Sequence, residues 1–203
     1  SRASVVSTIV LDPRTSGGAG LSGGNGTVYP TNYTGATTDN HLNLGNATNR
    51  FKDAYLSGGV YLGGTGSANK LDDYEQSAFT PSVRDATSGG NSQALSGTFK
   101  YTKIGRLVHF QIDTANIVTS GLTGTNRLYI TGLPFTASYI SVFPVWHQYI
   151  DGPPSANVIA RVVAGSSYII LDGMVDNGPD QTILVNDLNT YSDIRIAGSY
   201  MTS

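Results

Sequence analysis

The side chains that could serve as acids, bases or nucleophiles near neutral pH are few: His41, His109, His147, the lone glutamate Glu75 and thirteen aspartates. General acid–base catalysis needs such groups within hydrogen-bond reach of a substrate proton. No two histidines have the His-x-x-x-His spacing that sets two metal ligands on one helix face. A Gly-x-Ser-x-Gly elbow is missing, so nothing points to a serine nucleophile. Asp172, Asp176, Asp180 and Asp187 lie close enough in sequence for two carboxylates to flank a glycosidic bond. The same stretch carries Asp172-Gly173 and Asp176-Asn177-Gly178-Pro179-Asp180, dense turn signals that account for these aspartates without catalysis. Gly18, Gly20 and Gly23 match Gly-x-Gly-x-x-Gly, but neither flank offers the strand and helix that a dinucleotide site requires. The expectation is a non-enzymatic chain without a cofactor.

Sugar binding asks for a different set: an aromatic face against the C–H side of the ring, with amide, imidazole and carboxylate groups for the hydroxyls. Trp146, His147, Gln148, Tyr149 and Asp151 supply these types in one run. Pro153 and Pro154 behind them stiffen the loop and lower the entropy lost on contact. Tyr149 and Asp151 are expected to be the more exposed. Trp146 continues an alternation with Val142 and Pro144 that suits a core position as well as a platform. Asn177 and Asp180, in a turn-rich loop, join the candidate glycan contacts because loops at the end of a β domain commonly carry function.

Only 13% of the residues are charged and the net charge is −2. Without a basic block, the counterion release that drives nucleic-acid binding has no source. No apolar run reaches the roughly 18 residues of a membrane span, and residues 1–11 lack the charged start and long apolar stretch of a signal peptide. Neither nucleic acid nor membrane insertion is therefore expected. The absence of cysteine removes disulfides, thiolate catalysis and Cys-based metal sites. Serine at position 1 reads as the start of a processed or partial piece of something longer.

The elements that must position these residues are strands. Glycine is abundant at 25 residues, strong helix formers are scarce, and no helical period is sustained. Residues 1–40 read as an extended glycine-rich segment without a core of its own. In residues 41–75, Leu42 and Leu44 alternate with polar neighbours, and Tyr55-Leu56 before Gly58-Gly59 is echoed by Tyr61-Leu62 before Gly63-Gly64. Such short strands bury too little to stand alone. Three copies around an axis would shield Leu42, Leu44, Leu56, Val60 and Leu62 from water, forming a shaft. A loose meander lying on the following domain is the alternative.

From residue 76 to 203 the pattern becomes alternating strands between Gly, Pro, Asn and Asp clusters: Thr98–Ile104, Leu107–Asp113, Asn126–Thr131, Ser141–Trp146, Val158–Val163, Tyr168–Leu171, Ile183–Asn186 and Ile194–Tyr200. Val108, Phe110 and Ile112 face one way, while Leu107, His109, Gln111 and Asp113 face the other. The fold class is all-β, with an antiparallel, jelly-roll-like β-sandwich in this region. Leu71 to Glu75 is the expected joint, its aspartates capping turns rather than binding metal.

The run Asn49-Arg50-Phe51-Lys52-Asp53-Ala54-Tyr55-Leu56-Ser57-Gly58-Gly59-Val60-Tyr61-Leu62-Gly63-Gly64 resembles a shaft motif of bacteriophage tail fibres. Leu71-Asp72-Asp73-Tyr74-Glu75, Gly97 to Arg106, Ile130 to Phe135 and the closing Ile194 to Tyr200 are similar to the receptor-binding C-terminal region of such fibres. Gln76-Ser77-Ala78 departs from it, standing where a Glu-Gly-Thr-like turn is expected. The resemblance implies an intertwined trimeric β-ribbon shaft and a virion protein that attaches the phage to bacterial surface polysaccharide or lipopolysaccharide. It also implies contacts with other tail proteins through N-terminal parts, and leaves open an ion held by His or Asp on the threefold axis. A polysaccharide-depolymerising tailspike and a purely structural decoration protein are the alternatives.

Overall fold

The computed structural model describes residues 8–152 and 157–203. Pro153, Pro154 and the start of the Val5 to Leu11 run lie outside the described residues. What is described is nearly all β, with 48% strand and no α-helix. Two compact units divide between Leu56 and Ser57, inside the segment expected to be the shaft.

In the first unit, β1 (Thr8–Asp12), β2 (Ala19–Gly24) and β3 (Thr27–Thr31) form an antiparallel sheet in that order. The glycine-rich stretch is thus the middle strand rather than an unpaired segment. Glycine is needed there: a Cβ on Gly20 would sit 2.5 Å from the Ile9 carbonyl oxygen and 2.6 Å from Thr31 Oγ1. Asn25-Gly26, both at positive φ, makes the two-residue turn between β2 and β3, the conformation that asparagine and glycine tolerate best. Beyond β3, Leu42 and Leu44 form no strand. Asn46 Oδ1 instead accepts from the amides of Thr48 and Asn49 at 3.0 and 2.7 Å, closing a local turn that competes with strand pairing.

The second unit begins with β4 (Val60–Tyr61), which pairs with β5 (Lys70–Leu71) across a 3₁₀ turn at Ser67–Asn69. These two residues of β4 are all the strand found in 41–66. There follow β6 (Tyr74–Ala78), β7 (Ser82–Arg84), β8 (Ser92–Ala94), β9 (Gly97–Ile104), β10 (Leu107–Thr114), β11 (Tyr129–Thr131), β12 (Ser141–Ile150), β13 (Val158–Val162), β14 (Tyr168–Gly173), β15 (Gln181–Thr182) and β16 (Leu188–Met201). All belong to one antiparallel, curled sheet, ordered β6-β9-β10-β16-β12-β13-β14-β11-β7-β8, with β15 on β14.

One long strand joins the two halves of this sheet. Residues 141–144 of β12 pair with β13, whereas residues 145–150 pair with β16. The period-two alternation holds in β10, where Val108, Phe110 and Ile112 are buried and Leu107, His109 and Gln111 are exposed. Their inward side chains meet those of Ile130, Phe143, Ile169, Leu171, Ile194, Ile196 and Tyr200 in one core. Phe110 lies edge-on to Phe143 and Tyr200, with ring centroids 5.1 and 5.8 Å away. Truncating a ring so enclosed typically costs about 3–5 kcal/mol.

The expected strand at 183–186 is a correction. The regular strand ends at Thr182, Leu184 keeps only an isolated antiparallel bridge to Arg127, and Val185–Asp187 form a 3₁₀ turn, with Asp187 Oδ2 accepting from the Leu184 amide at 2.7 Å. The expected strand at 126–131 shortens to β11, with the Asn126 side chain donating to the Asp85 carbonyl at 3.3 Å. At the joint, Asp72 pairs with Lys70 at 3.0 Å, Asp73 with Lys103, and Glu75 accepts from the Tyr101 hydroxyl at 2.5 Å.

Candidate functional site

The alternation that sends Phe110 inward sends its neighbours to the outer face of β6, β9, β10, β16 and β12. Cross-strand register aligns Asp113 with Arg195, and Arg195 with Trp146. The Arg195 guanidinium lies 4.2 Å from the Trp146 ring centroid, and its Nε donates to Asp113 Oδ1 at 2.7 Å. A cation over an indole face is favourable, and the carboxylate fixes the guanidinium plane. Trp146 remains 46% exposed, so it is a surface platform and not a core residue.

Two shallow depressions lie on this face. One, of about 420 Å³, is lined by Gln111, Asp113, Pro144, Trp146, Arg195 and Ala197. The other, of about 480 Å³, is lined by Gln76, Lys100, Thr102, His109 and Gln111 among others. Gln111 belongs to both. Register continues the row from Lys100 to Gln111 to Ala197, and the small Ala197 leaves room above the sheet. His109 Nδ1 lies 3.1 Å from Ser199 Oγ on the adjoining strand. Together these groups make a shallow surface, largely apolar around Trp146 and mixed around Lys100, with one aromatic platform, the arrangement suited to a ring with an apolar face and a hydroxylated edge.

The remaining residues picked from sequence are spread more widely. Gln148 shares the exposed side of β12 with Trp146, while His147 alternates with it and its Nδ1 is buried without a hydrogen-bond partner. Tyr149 sits at an irregularity in the β12–β16 register at φ 55°, exposed, its carbonyl accepting from Ser192 Oγ at 2.6 Å. Asp151 is exposed, and its amide donates to the Asp187 carbonyl at 2.8 Å. Asn177 and Asp180 are exposed in the turn between β14 and β15, Asn177 at φ 62°.

Of the four closely spaced aspartates, Asp172 is buried, 2% exposed, with Arg127 on Oδ1 and Arg161 on Oδ2. Asp187 is engaged by the Leu184 amide. Among the described residues, no group of three or more His, Asp or Glu gathers as a metal site would require.

Sequence reasoning did not single out Lys100, Gln111, Asp113, Arg195 or Ala197 as a site. Alternation marks Gln111 and Asp113 as outward, and the same alternation in Ile194 to Tyr200 turns Arg195, Ala197 and Ser199 outward. What alternation cannot supply is the adjacency of β16 to both β10 and β12. No family model matches the chain, and no curated protein is significantly similar to it.

Proposed function

We propose that the chain is the distal part of a bacteriophage tail fibre, a homotrimer that attaches the virion to a bacterial surface polysaccharide or lipopolysaccharide. In this reading the curled sheet is a jelly-roll-like sandwich serving as the receptor-binding domain. Residues 41–75 serve as an intertwined shaft. The observation that carries the binding role is the exposed Trp146, stacked with Arg195 beside a mainly apolar depression whose polar groups include the Gln111 amide and the Asp113 carboxylate. Binding is favoured over cleavage because Asp172 is neutralised by two arginines and Asp187 is held in a turn.

The trimer is supported by apolar side chains left open in the single chain. Leu44 is 83% exposed and Leu56 64%, with Val60 and Leu62 also exposed. In the first unit, Ile9, Leu21 and Val28 are exposed as well, and strand register sets Ile9 and Leu21 side by side on one face. Sister copies would cover such surface, and three weak sites on one particle would raise adsorption through multivalency.

Two measurements test the reading. Trp146→Ala should lose most adsorption to cells that bind the wild-type chain, because truncating a central aromatic anchor of an interface commonly costs about 2 kcal/mol or more. Undiminished adsorption rejects the proposed face. Sedimentation equilibrium should give three times the chain mass at micromolar concentration, and folded single copies would reject the fibre.

A further inference from the structure

Resting on that attachment reading, the second depression defines the chemical class of the glycan. We infer that the outer face selects an acidic saccharide, its anionic group held at Lys100 and His109 while another ring of the same chain stacks at Trp146.

Charge is balanced at one end of the face and unbalanced at the other. Beside Trp146, the guanidinium of Arg195 is committed to Asp113. At the other end, Lys100 makes no ion pair among the described residues. No carboxylate lines its depression, whose walls are the amides of Gln76 and Gln111, the Thr102 hydroxyl and the His109 imidazole. Glu75, the nearest acid in sequence on β6, pairs in register with the buried Lys103 and accepts from Tyr101, on the opposite side of the sheet. With Nδ1 of His109 beside Ser199, its Nε2 has no partner among the described residues.

A neutral hydroxyl is served by the amides alone. An ammonium among uncharged donors gains most from a carboxylate or phosphate, whose charge-assisted hydrogen bonds are about twice as strong as neutral ones. The distance also fits one ligand. From β9, which carries Lys100, to β12, which carries Trp146, the face crosses three strand spacings, about 14 Å, the length of a short oligosaccharide. Gln111 lines both depressions, so they adjoin on the one face.

The test presents the intact chain with polygalacturonate, alginate, hyaluronan and polysialate, each beside its carboxyl-reduced derivative, and with poly(glycerol phosphate). The expected result is binding to at least one acidic polymer and a loss of fivefold or more on carboxyl reduction. Binding confined to poly(glycerol phosphate) also supports the inference and assigns the anion as phosphate. Lys100→Gln should weaken the acidic polymer by about fivefold, the upper range for one exposed charge pair, and leave reduced polymers unchanged, while Lys100→Arg keeps the preference.

Three outcomes overturn the inference: reduced polymers binding as well as their parents, no polymer of the panel binding, or a preference untouched by Lys100→Gln. If any of these occurs while Trp146→Ala still abolishes cell adsorption, glycan attachment survives and only the acidic class falls. Normal adsorption by Trp146→Ala removes both.

Discussion

Asp85 carries more of the local structure than its place in an ordinary-looking loop suggests. Its carboxylate accepts from the Thr123 amide at 2.9 Å, and from the Asn91 amide and side chain at 2.8 and 2.9 Å. Those bonds, the Thr123 amide foremost, hold its carboxyl down at about 2 against an ordinary 3.8. Because the folded-state value is the lower one, the stabilisation is complete above about pH 3.8 and vanishes as pH falls through about 2. Urea midpoints measured between pH 2 and 5 should fall over that window, and Asp85→Asn should flatten this part of the profile. Tyr200 moves the other way: burial pushes its phenol up to about 12. Its hydroxyl donates to the Phe135 carbonyl at 2.9 Å and accepts from the Phe135 amide at 3.2 Å. Tyr200→Phe should cost about 1–2 kcal/mol in chemical denaturation, the usual loss for unmade buried hydrogen bonds. Tyr200's role was not legible in sequence, since Phe135 lies 65 residues away, and although Asn91 is only six residues from Asp85, the Thr123 amide that matters most to it is 38 residues off. The same limit applies to Trp146: its alternation with Val142 and Pro144 was plain, but only the neighbouring strands decide which side is the core.

Strands with strong alternation were legible at the level of the element. β9, β10, β13 and β14 stand within two residues of their expected limits: β10 alternates buried apolar with exposed residues, whereas β14 is buried almost throughout and is marked by its apolar run Tyr168 to Leu171 between turn residues. Short polar strands such as β7 and β8 carry too few apolar positions to register, and the glycine-rich β2 carries almost none. β2 was nonetheless announced by Asn25-Gly26, a hairpin signal that the surrounding glycine obscured. Close approach of β16 to the core rests on Gly198, opposite Phe110 in register, where a Cβ would run into the Phe143 ring. Gly198→Ala should therefore destabilise by about 1–3 kcal/mol through overpacking. Adding Phe143→Leu should recover part of that loss in a double-mutant cycle, and strict additivity would show that the two positions do not meet.

At the scale of the molecule, the all-β class followed from composition and periodicity, whereas the division into two units did not. Glycine runs occur on both sides of Leu56, so no shift in composition marks the break. The shaft proposal makes its own prediction here. Leu56→Asp with Leu62→Asp should lower the solution mass from three chains to one, while the β-rich circular dichroism of the curled sheet persists. A mass unchanged by two buried charges would mean that these leucines stay in water.

β16 runs through the middle of the large sheet, and its partners β10 and β12 were threaded long before it. Closing the loop between Phe110 and Gly198 must precede any reward from the contacts that follow, which places this chain among slow folders, on a scale of milliseconds to seconds. Until that strand docks, β10 and β12 each present a bare edge able to recruit the matching strand of a neighbour. Crowded nascent copies thus face a choice between self-completion and strand exchange, so slow docking of this central strand lowers the yield of correctly folded chains.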